Sequence, residues 1–225
     1  MIARSIGAVH QSRGAVFNSK LYSATTGSSS LPDIDALATA PFMQQVQYGM
    51  DLAEMLQSET DKPQEQLKES LKAQLSHSDG IRGFMVAYLS GRDASGESNM
   101  IPPILLDALK EQLQQPGVVD LVSLMCMNVV MPTAMVTMHE NAENSAASAR
   151  TAKQGAALLK AVKDETPALK ENLRAIQAVA RVAKTGGKVN DDDRLLKTWT
   201  AFFEKWGYQE QQAKDIEEAM NQILS

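Results

Sequence analysis

The chain of 225 residues has a single cysteine, three histidines and only 5 % aromatic residues. One thiol, Cys126, excludes a disulfide framework and a cysteine-based structural zinc site. His10, His77 and His139 are too few for a histidine-rich metal centre. Basic charge is also in deficit, with 22 Lys and Arg against 27 Asp and Glu and a net of −5. A nucleic-acid binder needs clustered cations to displace counterions from phosphates, so that class is set aside. From Asp33 onward β-branched clusters are few and apolar residues recur mainly at three- and four-residue steps, which leaves little signal of a half-buried strand. No glycine-rich run ends in Gly-Lys-Ser or Gly-Lys-Thr after a strand, so a phosphate-binding loop is excluded.

What is present divides into two kinds of chain. Residues 1–30 hold Arg4, Arg13 and Lys20, nine Ser or Thr and no acidic residue. The remaining 195 residues carry 19 basic and 27 acidic side chains, a net of −8. An acid-free, Arg- and Ser-bearing leader with scattered apolar residues has the composition of an organelle transit peptide. Lys20-Leu21-Tyr22-Ser23 has the form of a matrix-protease cleavage context. The expected address is the mitochondrion, with the plastid as the alternative. Residues 1–32 are read as transit peptide and linker, and 33–225 as one globular domain long enough to bury its own core.

Within that domain apolar residues recur at steps of three and four, the spacing of one helical face. The expectation is an all-α fold of seven to nine helices, including a hairpin over 142–183. The stretch 118–138 is the most apolar, with no charge from Leu121 to Met138. Asn128 and Pro132 interrupt it, so it reads as a buried central helix kinked near Pro132 and not as a membrane span.

Candidate chemistry is sparse. His77, Asp79 and Arg82 share the segment Ser76–Gly83, which also contains Gly80-x-x-Gly83, the spacing of an RNA-clamping loop. Without strands or a basic face that spacing carries no weight, and helix capping explains the segment more simply. Residues 90–102 form a 13-residue loop that is either functional or a surface excursion. Met127, Met131, Met135 and Met138 share a helical face. They are expected in the core, although methionines also bind soft metals and adaptable partners. His139 and Glu143, four apart, suit a surface pair better than a metal site. Asn190 to Asp193 reads as a helix cap. Trp199, Phe203 and Trp206 concentrate the aromatic surface of the C-terminal third, as a packing seam or as anchors for a partner.

Two functions follow as expectations. The first is a non-enzymatic all-α interaction or assembly module in an organelle, needing no cofactor and working with a protein partner or as a homo-oligomer. The alternative is a helical small-ligand-binding protein or enzyme. Its anion- or metal-binding pocket would lie beside 118–138 and be built from His77, Asp79, Arg82, Asn128 and His139.

Overall fold

The computed structural model describes residues 31–58, 64–91, 100–117, 119–187 and 193–225. The transit peptide expected over 1–30, most of the loop 90–102, and Asn190 to Asp192 lie outside the described residues. Among the described residues the chain forms ten α-helices and no strand. They are α1 (Ile34–Thr39), α2 (Phe42–Gln57), α3 (Gln64–Gln74), α4 (Ser78–Gly91) and α5 (Pro103–Leu113), followed by α6 (Val119–Met138), α7 (Ala142–Val162), α8 (Pro167–Ala183), α9 (Arg194–Trp206) and α10 (Glu210–Leu224). Nine of these answer to the periodic segments in the sequence. The tenth, α1, has six residues, too few to show a period, and is marked only by Asp33, whose side chain accepts from Asp35 N–H.

The first five helices pack around the crossing of α2 on α4, with α3 against α5 and α1. Glycines make that crossing close. A Cβ on Gly83 would stand 2.6 Å from the Gln45 carbonyl carbon, and one on Gly49 would stand 2.8 Å from Phe84 Cα. The Gly80–Gly83 pair therefore serves helix packing. Lys72 pairs with Glu69 at 2.8 Å as the i,i+3 spacing implies, whereas Lys68 reaches across to Glu111 of α5.

In the second half α6 packs on α7, α10, α4 and α8, and α8 packs on α10 and α9. The hairpin expected over 142–183 is repartnered: α7 lies mainly on α6, and α8 mainly on α10. Polar side chains fasten the rim of the α8–α10 contact, whose centre is apolar. Glu217 of α10 accepts from Arg181 Nε of α8 at 2.9 Å and from Nζ of Lys184, the residue that caps the end of α8. Gln177 donates to Asn221 between the same helices. Asp193 caps α9 by accepting from Leu195 and Leu196 N–H. Gly207 ends α9 in the left-handed region at φ 65°, letting Tyr208 N–H reach back to the Phe203 carbonyl. One continuous core joins both halves, running from Leu37 and Phe84 through Cys126 and Val130 to Leu173 and Ile216.

Candidate functional site

The densest polar segment folds as a tie between helices. His77 precedes α4, and its Nδ1 accepts from Gly80 N–H at 3.3 Å. That contact assigns the ring proton to Nε2, which donates to the Leu37 carbonyl at 2.8 Å. Gln45, fully buried on α2, donates to the same carbonyl at 2.7 Å. Gln74, fully buried on α3, donates to the Gln45 carbonyl at 2.6 Å. Four helices are joined here, and His77 is occupied in joining them. Asp79 and Arg82 stand outside the tie as an exposed i,i+3 pair at 3.5 Å, with the Arg82 guanidinium 4.7 Å from the centre of the Phe42 ring.

The other two candidates for an anion pocket lie elsewhere. Asn128 on α6 donates to Leu124 O of its own helix at 2.8 Å. Pro132 cannot supply the N–H that would bond the Asn128 carbonyl, and Gly155 of α7 packs at that carbonyl. His139 sits in the turn between α6 and α7, where Nε2 meets Ser148 Oγ at 3.1 Å. It is not on a helix with Glu143, whose N–H is capped by Asn141 Oδ1. The structure thus joins His77 to its α1–α4 tie, pairs Asp79 with Arg82, and holds Asn128 and His139 in separate contacts of α6.

The thiol and the aromatics are equally committed. Cys126 is fully buried, and burial pushes its pKa up to about 12, far from a reactive thiolate. Trp199 is 1 % exposed and donates its indole N–H to Asn172 Oδ1 at 3.0 Å, so it belongs to the seam. Phe203, 4 % exposed, meets the Tyr208 ring edge-on at 5.2 Å. Of the three candidate anchors only Trp206 stands out, at 41 % exposed. A cleft of about 610 Å³ opens between α8 and α9, with Val179, Val182, Thr200, Phe203 and Tyr208 in its walls. None of the five candidate pocket residues lines it. Burial raises the Tyr208 phenol above its ordinary range. Among the described residues no three His, Cys, Asp or Glu side chains gather as metal ligands.

The surface that the sequence reading placed in the core is the outward arc of α6. Met125 is buried as expected, together with Cys126, Val129 and Val130 on the inward side. Leu124, Met127, Met131 and Met135 are only partly buried, and Met138 is 43 % exposed. These five fall within one quadrant of the helix at 100° per residue. Among the described residues α6 alone is long and apolar enough to cross a membrane, with a mean hydropathy of 1.7 and 44 % of that window buried. A helix apolar on every side gives no periodic clue to which arc faces inward, which is why the sequence assigned the methionines to the core. The only signal in the sequence is the spacing of the methionines themselves.

Residues 41–223 match the model of the family described as Uncharacterised conserved protein UCP020893, and the chain belongs to that family. No curated protein and no solved structure matches it.

Proposed function

We propose that this family member is a non-enzymatic helical interaction module that works inside an organelle, the mitochondrion before the plastid, and that the outward arc of α6 is its contact surface. The observation that carries the reading is an apolar arc of five large side chains, Leu124, Met127, Met131, Met135 and Met138, left incompletely covered by the domain's own helices. Large apolar side chains aligned at a surface favour burial against a partner. Unbranched thioethers re-pack readily and so suit an adaptable contact. The groups that could do chemistry are otherwise engaged: Cys126 is buried, His77 ties helices and His139 bonds Ser148. The acidic balance of the domain directs the surface towards protein and not nucleic acid. Trp206 offers a second, smaller anchor.

The organelle address rests on the acid-free leader. Protein recovered from cells is expected to begin near Ser23, the leader before it removed, and a carboxy-terminal fluorescent fusion is expected to locate to mitochondria. Recovery of the intact leader in a cytosolic pool would refute import. The contact surface is tested by light scattering after size exclusion, and by binding measurements on Met131→Glu. A protein that is monomeric, retains no partner and is indifferent to this substitution has no interaction surface on α6.

A further inference from the structure

We propose that the cleft between α8 and α9 is a binding site for a small organic amine, an ammonium group carried on a compact apolar body. The inference goes beyond the contact surface of α6, no residue of which lines this cleft. Its volume of about 610 Å³ falls within the roughly 300–1,000 Å³ of small-molecule sites. Volume alone selects no ligand, whereas the chemistry of the walls does. Val179 and Val182 of α8 and Phe203 of α9 supply apolar surface. The Phe203 and Tyr208 rings meet at 80° with their centres 5.2 Å apart, so the aromatic part of the wall is an angled corner. The electron-rich faces of such rings favour a cation over an anion.

Unpaired oxygens choose the head group. Among the described residues no Lys, Arg or His lines the cleft, while the exposed Glu204 does. The carboxylates of Glu111, Asp164 and Glu217 are each paired with two cations of the chain. That of Glu204 has no such partner, and an unpaired carboxylate beside an apolar cleft attracts cations and repels anions. The Tyr208 phenol is the second oxygen. Burial alone raises its pKa, and no hydrogen bond of the chain engages it. Thr200 provides the third. Thr39, Thr151 and Thr198 each donate to the carbonyl four residues back, the usual resort of a helical threonine. Thr200 does not, and its Oγ1 is screened from water without a partner. A hydroxyl left in that state is costly, so a ligand group that meets it is favoured. An ammonium has three N–H donors and no acceptor, which matches in kind the carboxylate, phenol and hydroxyl oxygens of these walls.

The test titrates the isotope-labelled full chain with phenethylamine and reads its amide signals by nuclear magnetic resonance. Phenethyl alcohol and phenylacetate serve as neutral and anionic counterparts with a similar apolar body. Phenethylamine is expected to move the signals of Thr200, Phe203 and Tyr208 with a Kd of about 1 mM, and phenylacetate to leave them in place. Glu204→Gln is expected to weaken the amine about fivefold and to leave the alcohol unchanged. Val182→Phe, at a partly buried position, is expected to fill the cleft and abolish the amine's shifts with an unaltered circular dichroism spectrum. If that variant loses the folded spectrum, Glu204→Gln decides. Phenylacetate bound as tightly as the amine, or amine binding indifferent to Glu204→Gln, overturns the assignment. So do amine shifts confined to residues outside the cleft, amine binding that survives in folded Val182→Phe, or no shift at about 10 mM amine. None of these outcomes bears on the α6 surface.

Discussion

Gly83 shows how little room this fold leaves at single residues. Its neighbour across the α2–α4 crossing is the Gln45 main chain, which cannot swing aside as a side chain would. Alanine at 83 gains helix propensity of about 1 kcal/mol but meets that backbone, and overpacking of this kind costs about 1–3 kcal/mol. Gly83→Ala is therefore expected to destabilise the fold by a net of up to about 2 kcal/mol, read from the midpoint and slope of urea unfolding. Gly91→Ala, where a Cβ meets nothing within 4 Å, is expected to be neutral or to stabilise by up to about 1 kcal/mol. The sequence displayed the glycines but not what lies opposite them, because a close helix crossing is a property of two distant segments. The burial of Cys126 depends in the same way on which arc of α6 packs inward, and the structure turns that side to the core. With its pKa raised to about 12 by burial, Cys126 is expected to resist thiol reagents in the native protein at pH 8 and to react fully in denaturant. Rapid native labelling would mean that α6 detaches from its neighbours.

Elements were legible where polarity has a period and obscure where it has none. In α9 the cap at Asp193 was readable, since it is a local device, whereas the sequence did not separate the buried Trp199 and Phe203 from Trp206, which is 41 % exposed. In α6 no polar arc marks the solvent side, so the inward and outward methionines could not be separated. The pairing of α8 with α10 was hidden for a third reason: it joins apolar faces far apart in the chain, with Glu217 meeting Arg181 and Lys184 across 36 and 33 residues. Hydrogen bonds from Lys184 and then Arg181 hold the Glu217 carboxyl below its ordinary value of 4.5. A carboxyl whose pKa is lower in the folded than in the unfolded chain stabilises the fold in full above the ordinary value. That contribution fades as the pH falls below 4.5 and is gone once the lowered native value is passed. Glu217→Gln is expected to remove this part of the acid dependence and about 1 kcal/mol at pH 7, a small figure because the Arg181 side chain is 61 % exposed. Thermal unfolding of both proteins between pH 3 and 7 measures it, and parallel curves would show that the pair adds nothing.

At the scale of the whole molecule the question is whether two sets of five helices behave as one body. The first set meets the second where α4 packs on α6 and α7, and where α5 packs on α7. Those contacts belong to the same buried cluster as Leu71 and Phe84 on one side and Leu173 and Ile216 on the other. A seam made of core side chains couples the halves, since opening it exposes apolar surface at about 25 cal/mol per Å². The two tryptophans, both on α9, provide a local probe: Trp199 at 1 % exposure reports on the second half alone. Far-ultraviolet circular dichroism reports on helices of both halves. The two signals are expected to change at the same urea concentration, with one slope, as a cooperative domain requires. If the circular dichroism instead falls in two steps, with fluorescence following only one, the α4–α6 seam is weaker than the cores on either side. The α2–α4 crossing would then have to be regarded as the centre of a separate unit.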